Sequence, residues 1–306
     1  MNPKVERLES VPACKLGEGP HWDAESQSLY FVDIIGRAIH KYVPATNKHT
    51  SAIIGTSEVS LILPIKGEKG RFLISIGRDL AVITWDGESE NVSNIEKILE
   101  VENSPDTLSN RWNDGKCDRL GRLWAGTMDQ KANENVVKTA AFYLVQNNKA
   151  TQMLNNIGIS NGTAWSRDDK KMYYIDSVTR SIDSFDFDIN KGTIANRQTI
   201  FTVAKHNIQG TPDGMTIDTD GNLWAAVFNG HQILKIDPKT PETLLASIPM
   251  PSQQTTSLTF GGPNLDELYA TSARILGLED SPSENGSIYR ITGINARGYP
   301  SVPVTL

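Results

Sequence analysis

The sequence predicts an all-β fold: a six-bladed β-propeller with four antiparallel strands per blade, one domain over residues 1–306, and a metal site in the central channel. Three observations predict it. Short β-rich runs alternate with Gly, Asp and Asn turns along the whole length. The only helix-like stretch is "NIEKILEVE" (94–102), which is short. A turn-and-strand unit recurs through the chain, and a fixed period of this kind marks a repeat architecture.

The clearest units are "EGPHWDAESQSLYFVD" from Glu18, "NDGKCDRLGRLWAGT" from Asn113, "NGTAWSRDDKKMYYID" from Asn161 and "DGMTIDTDGNLWAAV" from Asp213. Weaker ones are "SLTFGGPNLDELYAT" from Ser257 and "SLILPIKGEKGRFLISIG" at 60–77. Six units give roughly 50 residues each, the length of a four-stranded blade. A parallel βα fold needs helices between strands, and the sequence does not supply them. The last strands, "GSIYRITGI" (286–294), are expected to share a blade with the N-terminal segment and close the ring. Trp22, Trp124, Trp165 and Trp224 recur with the repeat, as blade cores require.

Composition narrows the function. Of 306 residues, 38% are hydrophobic and 22% charged, with a formal net charge of −6. A mildly acidic chain with no basic run argues against nucleic acid, whose binding rests on neutralising phosphates. No apolar segment approaches the ~20 residues that span a bilayer. The N-terminus lacks the apolar core of a secretion signal. Two cysteines, Cys14 and Cys117, make no disulfide framework. The expectation is a cytoplasmic monomer acting on a small molecule.

In four units the first residue is polar: Glu18, Asn113, Asn161 and Asp213. Five positions on, each has a second small polar residue: Asp23, Asp118, Ser166 and Asp218. Asp and Asn before Gly commonly serve as turn residues. Four such positions in register, one of them Glu, argue for convergence on the propeller axis. Two carboxylates and two amide oxygens make a hard, oxygen-only site that suits one divalent cation, Ca²⁺ first, with Zn²⁺, Mn²⁺ or Mg²⁺ as alternatives.

The stretches "GEGPHWD" (17–23), "NRWNDGKCDRLGRLWAGTM" (110–128), "SNGTAWS" (160–166) and "PDGMTID" (212–218) resemble the regucalcin, gluconolactonase and luciferin-regenerating enzyme family. "HKYVP" (40–44), "KKMYYIDS" (170–177) and "FGGPNLDELYATSA" (260–273) look most like its insect, firefly-type members. The resemblance implies a six-bladed propeller with one central metal held by Glu18, Asn161 and Asp213. It implies that Arg111 and Asn113 meet substrate or a metal-bound water, so Asn113 is not a fourth ligand. Where sugar-lactone hydrolysing members carry an acidic contact after "GTM", this chain reads "GTMDQK", with Lys131 at the matching place.

The expected chemistry is metal-assisted hydrolysis of an ester, a lactone or an oxyluciferin-like heterocycle. Asp213 is the candidate base, because proton abstraction needs a group within hydrogen-bond reach. Arg111 can fork onto a substrate carboxylate, and Asn113 could donate to an oxyanion. Trp112, between them, is expected in the blade core because strand neighbours face opposite ways. His21 reads as packing behind Glu18, and His206 and His231 as ordinary surface. Cys117 has no nearby His signal for a nucleophile. The insertions at 129–140 and 202–211 are expected to frame the channel mouth. The rival readings are a Ca²⁺-binding regulatory protein without turnover, a sugar-lactone gluconolactonase and a protein-interaction platform.

Overall fold

A computed structural model describes residues 1–55, 57–130, 138–275, 277–278, 280 and 284–306. Six four-stranded antiparallel sheets form the blades of a propeller. Blade 1 is Gly17–Asp23, Ser28–Asp33, Ala38–Val43 and Lys48–Ile53, from inner to outer strand. Blade 2 is Ile62–Pro64, Arg71–Ile76, Asp79–Thr84 and Ser93–Glu100. Blade 3 is Asn110–Cys117, Leu123–Asp129, Ala140–Gln146 and Lys149–Ile157. Blade 4 is Ser160–Trp165, Lys171–Asp176, Ser181–Asp188 and Thr193–Thr202. Blade 5 is Thr211–Ile217, Leu223–Phe228, Gln232–Asp237 and Thr243–Pro249.

Blade 6 joins the two ends of the chain. Gln254–Gly261, Glu267–Ala273 and Tyr289–Thr292 supply its first three strands, and Lys4–Arg7 adds the fourth, pairing Val5 with Ile291 and Arg7 with Tyr289. This is the closure the sequence predicts.

The stretch 94–102 is a correction: it is not helical but falls in the outer strand Ser93–Glu100. The sequence looked helical because Ile98 and Leu99 are adjacent and both pack against the core between blades 2 and 3. A bulge accounts for this. Leu80 pairs with Leu99 and Ala81 with Lys97, so Ile98 is the extra residue, and the strict alternation of faces breaks there.

Apolar residues pack between neighbouring blades rather than in one central core. Trp112, wholly buried, joins Leu61 and Leu73 of blade 2 and its own blade's Tyr143. Trp124 and Phe142 meet Tyr174 and Phe185 between blades 3 and 4. Each sheet is thereby covered on both faces while the axis stays free for polar groups.

The turn residues at the fifth position of the repeat fasten this packing. Asp118 accepts from the backbone N–H of Leu120 (3.0 Å) and Arg122 (3.2 Å), and its other oxygen accepts from Trp124 Nε1 (2.9 Å). Asp218 repeats the device with Asp220 (3.1 Å), Asn222 (2.8 Å) and Trp224 Nε1 (3.0 Å). One carboxylate thus shapes the hairpin turn and satisfies the buried indole behind it.

Candidate functional site at the channel axis

Inner strands bulge at one place in five of the six blades. The pairing register slips between Glu18 and His21, Trp112 and Gly115, Ser160 and Thr163, Pro212 and Met215, and Thr255 and Leu258. Each slip leaves an unpaired dipeptide whose groups are free of the ladder and can be turned toward the axis. Asn113, Asn161 and Asp213 each open such a dipeptide, so these three are structurally equivalent.

Glu18 holds the same place in blade 1: four residues on, Trp22 pairs with Leu29 as Cys117 does with Leu123, Trp165 with Met172 and Ile217 with Leu223. Glu18 itself pairs with Val32, and the dipeptide in blade 1 is Gly19–Pro20. The four-fold register read from the sequence therefore holds in blade 1, and only the unpaired dipeptide is displaced there by one residue. Gly19 adopts φ +55, and its N–H donates to Glu18 Oε2 (2.8 Å).

The Gly after Asn161 and Asp213 is required by close approach. A Cβ on Gly162 would lie 2.6 Å from Met215 Cβ and 2.7 Å from the Asp213 carbonyl oxygen. One on Gly214 would lie 2.1 Å from Ser257 Oγ. In blade 3 the same slot holds Asp114, which accepts from Gly115 N–H (2.7 Å).

A chain of hydrogen bonds crosses three blades. Arg111 Nη1 donates to Asn113 Oδ1 (2.7 Å) and the Trp112 carbonyl (2.8 Å). Asn113 Nδ2 donates to the Ser160 carbonyl (2.9 Å) and Asn161 Oδ1 (3.1 Å). Asn161 Nδ2 donates to Ser177 Oγ (2.8 Å), which donates to the Pro212 carbonyl (2.7 Å), next to Asp213. Both amide hydrogens of Asn113 are therefore engaged, which corrects its expected role as a free donor to an oxyanion. Arg111 spends only one of its nitrogens on these bonds.

Glu18, Arg111, Asn161 and Asp213 are all buried. Burial, and then the neighbouring Asp114 charge, pushes Glu18 up from 4.5 to about 8. Burial followed by the charges of Glu18 and Asp114 pushes Asp213 well up, with Arg111 opposing weakly. Asp114 is raised by burial too. Three carboxyls thus share a desolvated space with one guanidinium, itself lowered to about 10 by burial. Among the described residues, no hydrogen bond reaches the Asp213 carboxylate.

That arrangement fits a cation. A buried carboxylate without a donor is costly unless it is protonated or paired. Hard oxygen donors are the ligands Ca²⁺ takes. Among the described residues no three His, Cys, Asp or Glu side chains are grouped as a metal cluster, so the set depends on the Asn161 amide.

The structure brings Glu18, Arg111, Asn113, Asn161 and Asp213 together; Lys131 lies outside the described residues. Trp112 points into the blade core, where its Nε1 donates to the Arg78 carbonyl (2.9 Å). His21 is buried and lowered to about 4 by that burial. His206 stacks on Phe201 with centroids 4.4 Å apart. Cys14 and Cys117 are buried and unpaired by disulfide.

Sequence reasoning missed Asp114, Ser177 and a pair of strand-end aspartates. Asp33 accepts from Lys15 N–H (2.9 Å) and Leu16 N–H (3.0 Å), tying down the segment that enters Glu18's strand. Asp176 does the same for Gly158 (3.2 Å) and Ile159 (3.0 Å) ahead of Asn161. The signal was available in the recurring "YFVD" and "YYID".

Fold and site together define a class: β-propellers whose channel gathers hard oxygen donors and a buried guanidinium from separate blades. The chain belongs to the family described as SMP-30/gluconolactonase/LRE-like, whose pattern matches residues 16–274. It is 34% identical to regucalcin of Xenopus laevis over 291 residues, 93% of each chain, and 35% identical to regucalcin of Danio rerio over 295 residues, 95% of each. Among solved structures it resembles a luciferin-regenerating enzyme, with 45% identity, full coverage of both chains and a TM-score of 0.95. It also resembles a calcium-binding regucalcin of Agrobacterium tumefaciens, with 25% identity, 99% and 97% coverage and a TM-score of 0.86.

Proposed function

We propose that this chain is a divalent-metal-dependent hydrolase of a small ester, lactone or oxyluciferin-like heterocycle, with Glu18, Asn161 and Asp213 holding one cation, Ca²⁺ first. The observation that carries the reading is the Asp213 carboxylate, buried beside Glu18 without a hydrogen-bond donor among the described residues. A bound cation supplies Lewis-acid polarisation of a substrate carbonyl.

The chain's own residues have separate tasks. Arg111 is anchored by one nitrogen and offers the rest of its fork to a substrate oxygen or carboxylate. Asn113 holds Arg111 and aligns the Asn161 oxygen. Asp213 is the group placed to take a proton from an attacking water. The segments at 129–130, 138–140 and 202–211 begin or end at the same end of the inner strands as these groups, where specificity is set. The likeness to a luciferin-regenerating enzyme at 45% identity favours a heterocyclic substrate over a sugar lactone, as does Lys131 in place of an acidic contact.

A second reading, a calcium-binding protein without turnover, is favoured by the calcium-binding regucalcin relative. Ca²⁺, Mn²⁺ and Zn²⁺ titrated against aryl esters, lactones and oxyluciferin separate the two. Turnover lost with chelator and with Asp213→Ala supports the hydrolase; tight binding with no turnover supports the calcium-binding reading. No metal binding at all overturns both.

A further inference from the structure

The opposite end of the channel holds a separate cavity of about 570 Å³, within the size range of small-molecule sites. Its walls come from the bulge residues Gly19, Pro20, Asp114 and Ser257 and from inner-strand residues beyond them, and none of Glu18, Arg111, Asn113, Asn161 or Asp213 lines it. The C-terminal segment closes one side. Gly298 bridges Asp218 of blade 5, Val304 bridges Ile65 of blade 2, and Thr305 N–H donates to the Gly121 carbonyl of blade 3 (2.8 Å). Residues 299–303 are thereby strapped across the channel and form part of the lining.

The lining combines an apolar wall with an excess of positive charge. Leu63, Ile217, Leu258, Tyr299 and Val302 supply the apolar part. Four cations, Lys66, Lys116, Arg119 and Arg167, face two carboxylates, Asp114 and Asp169. The cavity is therefore formally +2 in a chain of net charge −6. Arg119 is ion-paired with Asp169, whereas Lys66 and Arg167 form no ion pair among the described residues.

Lys116 is the innermost cation. It is half-buried, and its Nζ donates to the Met215 carbonyl (2.6 Å). An ammonium has three donors, and this is the one hydrogen bond it makes among the described residues. Burial lowers Lys116 and the neighbouring Asp114 charge opposes this, and a half-buried cation with unspent hydrogens, in a cavity of opposite sign to the rest of the chain, suits an anion.

We infer that this cavity is a second binding site, separate from the axial carboxylates, for an amphipathic organic anion. Its carboxylate head meets Lys116 Nζ, and its apolar body lies against Leu258, Tyr299 and Val302. Lys66 and Arg167, both exposed, steer the head group inward. Asp114 is the wall shared with the axial site, because it lines the cavity and its charge also acts on Glu18.

Calorimetric titration with decanoate, with 1-decanol as the uncharged control, tests this. The native chain is expected to bind decanoate saturably and decanol far more weakly. Lys116→Met should weaken decanoate by about tenfold or more, as loss of a charged hydrogen bond does. Arg167→Glu, at an exposed position that leaves folding intact, should weaken it less and flatten its salt dependence. Asp213→Ala should leave decanoate binding unchanged, which separates this site from the axial one. No saturable binding up to about 1 mM, equal affinity for decanol, or indifference to both charge variants would overturn the inference.

Discussion

The Asn113 amide nitrogen lies 3.1 Å from Asn161 Oδ1 and 2.9 Å from the Ser160 carbonyl, while the Asn113 oxygen accepts from Arg111. Asn113 is thus committed on both sides. It positions Arg111 and the Asn161 oxygen. Two asparagines at equivalent bulges hold different posts because blade 3 carries Arg111 two residues upstream and blade 4 carries Ile159 there instead.

Ser177 extends the same chain to Asp213's strand through the Pro212 carbonyl. Outer partners of metal-ligating groups typically contribute about 10–100-fold in affinity. Ser177→Ala is therefore expected to weaken Ca²⁺ binding by about tenfold or more with little change in thermal stability. Calorimetry beside a melting curve measures both.

Metal-free protein should lose stability as pH rises. Burial raises Glu18 from 4.5 to about 8 in the folded chain, so over that interval the folded state holds more protons. Stability then falls with rising pH, since it follows the difference in protons bound. Added Ca²⁺ should reverse the loss, most strongly at the alkaline end, with proton release on binding. Melting temperatures across that interval, with and without Ca²⁺, check the sign.

Gly162 has no room for a methyl group, because a Cβ would sit 2.7 Å from the Asp213 carbonyl oxygen and 2.6 Å from Met215 Cβ. Gly162→Ala should cost about 1–3 kcal/mol by overpacking. It should also weaken metal binding, because the strand that must yield carries Asp213. Urea unfolding and metal titration of the same variant report the two effects.

Asp218 is a blade fastener with no part in chemistry. Asp218→Ala orphans Trp224 Nε1 and opens the turn, at a cost of about 1–3 kcal/mol. Asp220→Ala, two residues on and exposed, should stay within about 0.5 kcal/mol. Equal urea midpoints for the two variants would contradict this account of the repeat.

Much of this was legible in the sequence because the repeat is strong. Asp118 and Asp218 recur at a fixed offset ahead of Leu-Trp, and that offset exposed the blades. The axial residues were legible as far as Asn113, Asn161 and Asp213, whose bulges share a register. Glu18 was legible by the same register, although the unpaired dipeptide in blade 1 begins one residue later. Asp114 was hidden because Gly fills its slot in blades 4 and 5. Ser177 and the strap at 299–303 depend on contacts between distant blades, which no local pattern carries.

A crystal grown with Mn²⁺ and measured for anomalous scattering tests the central claim most directly. A single anomalous peak should stand on the channel axis, about 2.0–2.6 Å from oxygens of Glu18, Asn161 and Asp213, and should vanish in Asp213→Ala. A peak held by other residues, or an axis with no peak while Glu18 and Asp213 keep their places, would contradict the account.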